Sequence, residues 1–174
     1  NIENKEIQLA INDNINEMNV MIEHYIDFIK NEKEELAEKI KSNIFINDIL
    51  KQYKNITLNK NDVKEIRIKK IQITRALQNV IENSQKFAKN TFVSSYFSKS
   101  KWIISIQDDG PGIDLSPEEI VKPFVKGKNN LNQGSGLGLS ILKKIIDLNN
   151  GKIKFDRSAH NGLKVHIELN NLLE

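Results

Sequence analysis

Apolar residues recur at alternating spacings of four and three through Ile11, Ile15, Met18, Ile22, Tyr25 and Ile29, and Leu36 and Ile40 continue in phase. That heptad stripe predicts one long helix over the first 35 residues. Val20, Met21, Ile26 and Phe28 widen the stripe, which suits a helical bundle better than a two-stranded seam. Such a face must be covered, and the sequence offers no neighbour upstream. A second copy of the chain, a missing hairpin mate, or both would cover it; packing onto the chain's own globular part is the alternative.

Beyond this stripe the pattern changes. Residues 31–42 are charge-rich and read as a link between two modules or the start of the next helix. Asn43–Tyr53 is apolar on one side and helical. Ile56–Leu58 and Val63–Ile68 alternate, as strands do, around a turn at Asn59–Asp62. Thr74–Lys89 reads as a helix with Ala76, Leu77, Val80, Ile81 and Ser84 facing inward. Thr91–Tyr96 and Trp102–Gln107 read as a hairpin, followed by a turn at DDGPG. Residues 114–135 are polar and irregular, long for a structureless connection and of the kind that forms lids. Leu139–Leu148 is a helix closed by Asn149, Asn150 and Gly151. Lys152–Phe155 and Lys164–Leu169 are the final strands. Helices and strands do not alternate strictly, so the expected fold class is α+β, a two-layer sandwich with helices on one face of a mixed sheet, preceded by the long N-terminal helix. The expected domains are residues 1–35 and 36–174.

The bulk numbers narrow the function classes. The chain has 174 residues, 39% hydrophobic and 28% charged, which is enough for one globular domain and an appendage. A formal net charge of +3, with lysines interleaved among carboxylates, argues against a nucleic-acid partner. The absence of cysteine excludes disulfides and thiolate metal sites. No apolar run approaches the ~18–20 residues that span a bilayer, and no signal-peptide pattern opens the chain. Because the first residue is Asn1 rather than Met, the chain is expected to be a piece of a longer protein, whose membrane anchor would lie elsewhere.

Three clusters carry candidate chemistry. In RALQNVIENSQKFAKN, residues 75–90, Asn79, Asn83 and Lys86 fall on one helix face. That can be a solvated stripe, or carboxamide oxygen for phosphate-bound Mg²⁺ beside an ammonium that neutralises phosphate. Asp108-Asp109-Gly110-Pro111-Gly112 follows the strand WIISIQ. A carboxylate at the end of a buried strand needs a donor. The amino group of adenine is one, and the carbonyl of guanine in the same place would be repelled; a simple turn is the plainer reading. Gly134-Ser135-Gly136-Leu137-Gly138-Leu139 opens a helix, where backbone N–H groups and the helix dipole favour phosphate. No GKS or GKT follows, so this is not a Walker motif, and no βαβ unit makes it a Rossmann fingerprint.

Taken in order, the Asn-bearing helix, the strand ending in DxGxG, the irregular segment and GxGLGL resemble the GHKL (Bergerat-fold) superfamily of ATPases and kinases. The resemblance covers roughly residues 43–170. DDGPGI, PFVKG and GSGLGLSILKKIIDLNNG resemble sensor histidine kinases of the osmosensing EnvZ type, and NDNINEMNVMIEHYIDFIK resembles the second helix of their dimerisation and phosphotransfer hairpin. The resemblance implies ATP and Mg²⁺ as cofactors. It implies Asn83 at the metal with Asn79 in support, and Lys86 on phosphate. Phe87, Asp108, Gly110 and Gly112 would line the base, Phe124 and Lys126 would belong to the lid, and the stretch Gly134, Ser135, Gly136, Leu137 and Gly138 would face the phosphates. It implies transfer of the γ-phosphoryl group to a histidine absent from this chain, and thence to an aspartate of a response regulator. It also implies a homodimer through the hairpin in the full-length protein, weak in this fragment. The domain would be cytoplasmic, with the parent protein in the bacterial inner membrane.

Some positions depart from that pattern. The matching place in the topoisomerase and chaperone branches is a water-activating glutamate; here it is Asn79, whose amide cannot act as a base. His24, His160 and His166 all lack the context of the family's phosphoacceptor. Ile120 stands where the subfamily often has a first lid phenylalanine. A stand-alone serine kinase of the anti-sigma type, a non-catalytic dimerisation or scaffold module, and a topoisomerase- or chaperone-like ATPase are the rivals.

Overall fold

The structure, a computed structural model, describes residues 35–127 and 135–170 together with the single positions Gln8, Ile11, Asn12, Ile15 and Ile22. The chain divides into two compact units, Asn1–Glu35 and Leu36–Glu174. In the first unit Gln8, Ile11, Asn12, Ile15 and Ile22 are helical and Glu35 is not, and Ile11, Ile15 and Ile22 are about half exposed, at 51%, 48% and 51%. The rest of the expected N-terminal helix, with Met18, Tyr25 and Ile29, lies outside the described residues.

The second unit runs β1 (Glu38–Lys41), α1 (Ser42–Leu50), β2 (Ile56–Asn61), β3 (Glu65–Ile68), α2 (Lys70–Phe87), β4 (Thr91–Ser98), β5 (Lys101–Asp108), α3 (Pro117–Ile120), α4 (Gly138–Leu148), β6 (Lys152–Arg157) and β7 (Leu163–Asn170). Its main sheet has the order β2-β4-β5-β7-β6. The pair β2–β4 is parallel and the other three are antiparallel, so the sheet is mixed as expected. β1 and β3 form a separate antiparallel pair.

The helices form a layer on one face. Ile73, Ala76, Leu77, Val80, Ile81 and Ser84 recur at helical spacing along α2, and Ile141, Leu142, Ile145 and Ile146 do so along α4; all are buried. Beneath them, alternate residues of the central strands (Val93, Ile104, Ile106, Val165 and Ile167) complete the core. Each such side chain contributes about 1.5–3 kcal/mol by leaving water. Phe45 of α1 meets the Trp102 ring edge-on at 6.0 Å, and the indole N–H donates to Ser95 Oγ at 2.9 Å. On the opposite face, Ser94, Ser105, His166 and Lys154 stand in register across four strands. That face is polar, and Glu168 there accepts from Lys101 Nζ at 2.7 Å.

Several local expectations need correction. The described part of the charge-rich stretch that precedes Ser42, residues 35–41, is not helical. Glu38–Lys41 is a strand, because its EKIK alternation finds a matching EIRI in β3, and the helix starts only at Ser42. The turn placed at Asn59–Asp62 is instead a continuation of β2 through a bulge between Leu58 and Lys60. β2 and β3 therefore join different sheets. Helix α2 begins at Lys70, ahead of the expected Thr74. The segment 114–135 holds the short helix α3, started by a capping box in which Ser116 and Glu119 satisfy each other's backbone N–H groups.

Candidate functional site

Helix α2 sets the first side of the site. Its buried stripe fixes the rotation, so Asn79, Asn83 and Lys86 share the flank left partly open to solvent. The Asn79 amide donates to Arg75 O one turn back at 3.0 Å. Its oxygen then faces Gly138, where a Cβ would lie 3.5 Å away. The Asn83 carboxamide is half-buried and takes no hydrogen bond within the described residues. Lys86, in the last turn, holds its ammonium 5.7 Å from the centroid of the Phe87 ring.

The sheet supplies the second side. Asp108, the last residue of β5, is only 6% exposed. Its Oδ1 accepts from the N–H groups of Gly110 and Leu163, both at 3.0 Å, and its Oδ2 from Ser84 Oγ at 3.3 Å. A carboxylate has about four acceptor sites, so Oδ2 keeps room for an incoming N–H. Gly110 lets the chain pass against the end of α2, since a Cβ there would meet Phe87 O at 2.8 Å. Gly112, at φ +71°, turns the chain toward the β6–β7 connection. Asp109 points the other way and accepts from the N–H groups of Lys89 and Asn90 and from Asn90 Nδ2 at 2.7–2.9 Å. Those donors, Asn90 foremost, hold its carboxyl below the usual carboxylate range.

The third side is the start of α4. Among the described residues no side chain caps it and no acidic residue stands in its first turn, so its leading N–H groups and the positive end of its dipole take no described side-chain partner. Ser135 Oγ accepts from Leu137 N at 3.3 Å, and Leu137 is buried. Gly136 and Phe124, both at positive φ, join the two described parts of the segment 114–135 and the start of α4 through a Phe124 N–H to Gly136 O bond of 3.0 Å. Phe124 is 67% exposed, whereas Ile120 is buried at the end of α3. Lys126 is half-buried. Gly134 lies outside the described residues.

The structure thus brings Asn79 against Gly138, Phe87 against Gly110 and Phe124 against Gly136. Sequence reasoning missed the roles of Ser84, Gly162 and Leu163, which touch Asp108 from separate elements. The Asn161-Gly162 dipeptide was a readable turn signal, but nothing in it points to Asp108. A neighbouring cavity of about 430 Å³ lies beyond Gly112, between Ile113, Ile120, Phe155, Arg157 and Leu163. Its lining includes none of Asn79, Asn83, Lys86, Phe87 or Asp108.

Residues 68–172 match the family described as histidine kinase-, DNA gyrase B-, and HSP90-like ATPase. The sensor protein kinase WalK of Staphylococcus haemolyticus is 28% identical over 156 residues, covering 80% of this chain and 26% of that protein. The histidine kinase domain of the E. coli osmosensor EnvZ superposes with a TM-score of 0.61 at 26% identity, covering 82% of this chain and 93% of that domain. The Acinetobacter baumannii histidine kinase AdeS gives a TM-score of 0.69 at 20% identity over 91% of this chain and 82% of that one, a likeness of fold. The chain spans about a quarter of the length of the WalK relatives it matches.

Proposed function

The chain belongs to the histidine kinase-, DNA gyrase B-, and HSP90-like ATPase family, in the form found in sensor histidine kinases, and from that premise we propose how its own residues handle the nucleotide and where the phosphoryl group goes. Adenine stands against Asp108, with its amino group donating to Oδ2 while the opposite polarity of guanine is rejected. The bound nucleotide passes between Phe87 and the lid, and its phosphates meet the uncapped start of α4 at Gly136, Leu137 and Gly138. Lys86 and Lys126 add positive charge.

Asn83 is the residue that holds Mg²⁺. A half-buried carboxamide without a protein partner among the described residues fits a hard ion that keeps several waters and takes few protein ligands. When bound, the ion neutralises charge on the phosphates. Asn79, anchored to Arg75 O and lying against Gly138, keeps α2 and α4 in register. Its amide takes no proton from water at neutral pH, so the site positions ATP without activating a hydrolytic nucleophile. Catalysis then rests on alignment and charge neutralisation. The acceptor is a histidine on a helical hairpin, and the helical positions Ile11, Ile15 and Ile22 supply part of a dimer seam in the whole protein. A response regulator receives the phosphoryl group in turn.

The observation that carries this reading is the closeness of Gly138 to Asn79, which sets the start of α4 beside the carboxamide face of α2. The test is phosphotransfer in trans. The chain is mixed with Mg²⁺, γ-labelled ATP and a histidine-bearing helical hairpin. The expected product is acid-labile, alkali-stable phosphate on the hairpin, reduced by about tenfold or more in Asn83→Ala. Acid-stable label on a serine-bearing protein would instead favour the anti-sigma-type kinase. No transfer with nucleotide bound would favour a scaffold.

A further inference from the structure

The turn between β6 and β7 lies outside every motif that suggested a function, yet its backbone stands directly against Asp108. Gly162 has no side chain because a Cβ there would lie 2.0 Å from Asp108 Oδ1 and 2.3 Å from Asp108 O. The next residue, Leu163, donates its N–H to the same Oδ1. Backbone from this turn therefore presses on the carboxylate and bonds to it. Since Gly110 N–H takes the other approach to Oδ1, that oxygen is saturated, and the carboxylate is oriented with Oδ2 toward Ser84 and α2.

The turn is itself restrained. Ser158 N–H donates to Gly162 O at 2.9 Å, Asn161 N–H to Ser158 O at 3.1 Å and His160 N–H to Ser158 Oγ at 3.0 Å. Outside, the His160 ring stacks on Phe92 of β4 with centroids 3.8 Å apart and planes 17° from parallel. Phe92 pairs in register with Gln107, whose Oε1 accepts from Ala159 N–H at 3.5 Å. An exposed imidazole on a turn has no reason of its own to lie flat on a ring two strands away, and a stack of that geometry is a real restraint. It ties the turn across β7 and β5 to β4, so that turn and Asp108 move as one body.

We propose that His160 and Gly162 are positioning residues for the base specificity of the site, acting through the Leu163 N–H on the orientation of Asp108. This rests on Asp108 being the adenine-reading group. The carboxylate rejects guanine only if it cannot rotate away from the carbonyl presented to it, because specificity at a buried polar group comes from a fixed partner. Freed from the Phe92 stack, the turn lets Leu163 N–H drift, Oδ1 loses a donor, and the carboxylate gains an orientation that tolerates the wrong base.

The test uses the full chain and two variants, His160→Ala and His160→Phe, the second keeping a ring to stack. Two quantities are read: hydrogen exchange at the Leu163 amide without nucleotide, and the ratio of dissociation constants for a non-hydrolysable GTP analogue and its ATP counterpart. In His160→Ala the Leu163 amide exchanges faster and the ratio falls by about three- to tenfold, the size of one ring stack. His160→Phe restores both. Gly162→Ala, which sets a methyl against the carboxylate, loses adenine selectivity outright if it folds. Lowered thermal stability in His160→Ala with exchange and ratio both unchanged would overturn the proposal and leave His160 a structural pin. A wild-type chain that binds neither analogue, but in which Leu163 exchange still responds to His160, would contradict the nucleotide reading and uphold the coupling of the turn to Asp108.

Discussion

At the scale of single residues, burial and partners separate groups that look alike in the sequence. Asp108 and Asp109 are adjacent, yet one is buried under three donors facing the helices and the other staples Lys89 and Asn90 at the surface. His166 shows how burial sets charge. Desolvation, aided by Lys164 and Lys154 and opposed by Glu168 and Asp156, lowers its pKa below the ordinary 6.5. The unfolded chain then takes up this proton first as pH falls, so stability drops with acidification through and below pH 6.5. His166→Gln should flatten that slope, visible as urea midpoints that change less between pH 7 and about pH 5.5 than those of the parent chain. The candidate site was legible at this scale wherever a motif carried it. Asn79, Asn83, Asp108 and the glycines could be named from spacing and motif. The groups that orient Asp108 could not, because Ser84 and Leu163 stand 24 and 55 residues away in sequence and meet it only through the fold.

At the scale of elements, the site is made along the C-terminal half of α2, at the end of β5 and at the start of α4. Their mutual packing fixes it: Leu142 of α4 is fully buried, as Leu77 is on α2. Leu142→Ala should cost about 2–5 kcal/mol in denaturant unfolding, from lost transfer energy and a residual cavity. These elements were readable because their apolar periods are long and regular. The short ones were not. β1 is a strand only because β3 offers it a distant antiparallel partner, with Glu38 opposite Ile68 and Lys41 opposite Glu65. The bulge that carries β2 past Leu58 follows from its parallel pairing with β4, a constraint no local pattern announces. α3 had its signal in Ser116 and Glu119, but four residues show no period.

At the scale of the whole molecule, a mixed sheet with helices on one face was expected from the order of elements; it has five strands, and the family match covers four of them, all but β2. The smaller unit left less to read, since only its helical positions Gln8, Ile11, Asn12, Ile15 and Ile22 are described beside Glu35. What makes the larger unit a candidate enzyme is helix α2, whose Ser84 donates to the buried carboxylate of Asp108 and whose Asn79 faces the start of α4. The central claim is therefore nucleotide binding with base selectivity. A calorimetric titration of the full chain with a non-hydrolysable ATP analogue and Mg²⁺, set beside the GTP analogue and the Asp108→Asn variant, tests it most directly. The account predicts saturable binding of the ATP analogue, far weaker binding of the GTP analogue, and loss of ATP-analogue binding in Asp108→Asn, whose amide would present a donor to the amino group of adenine. A folded wild-type chain that binds neither analogue, or binds both alike, would contradict it.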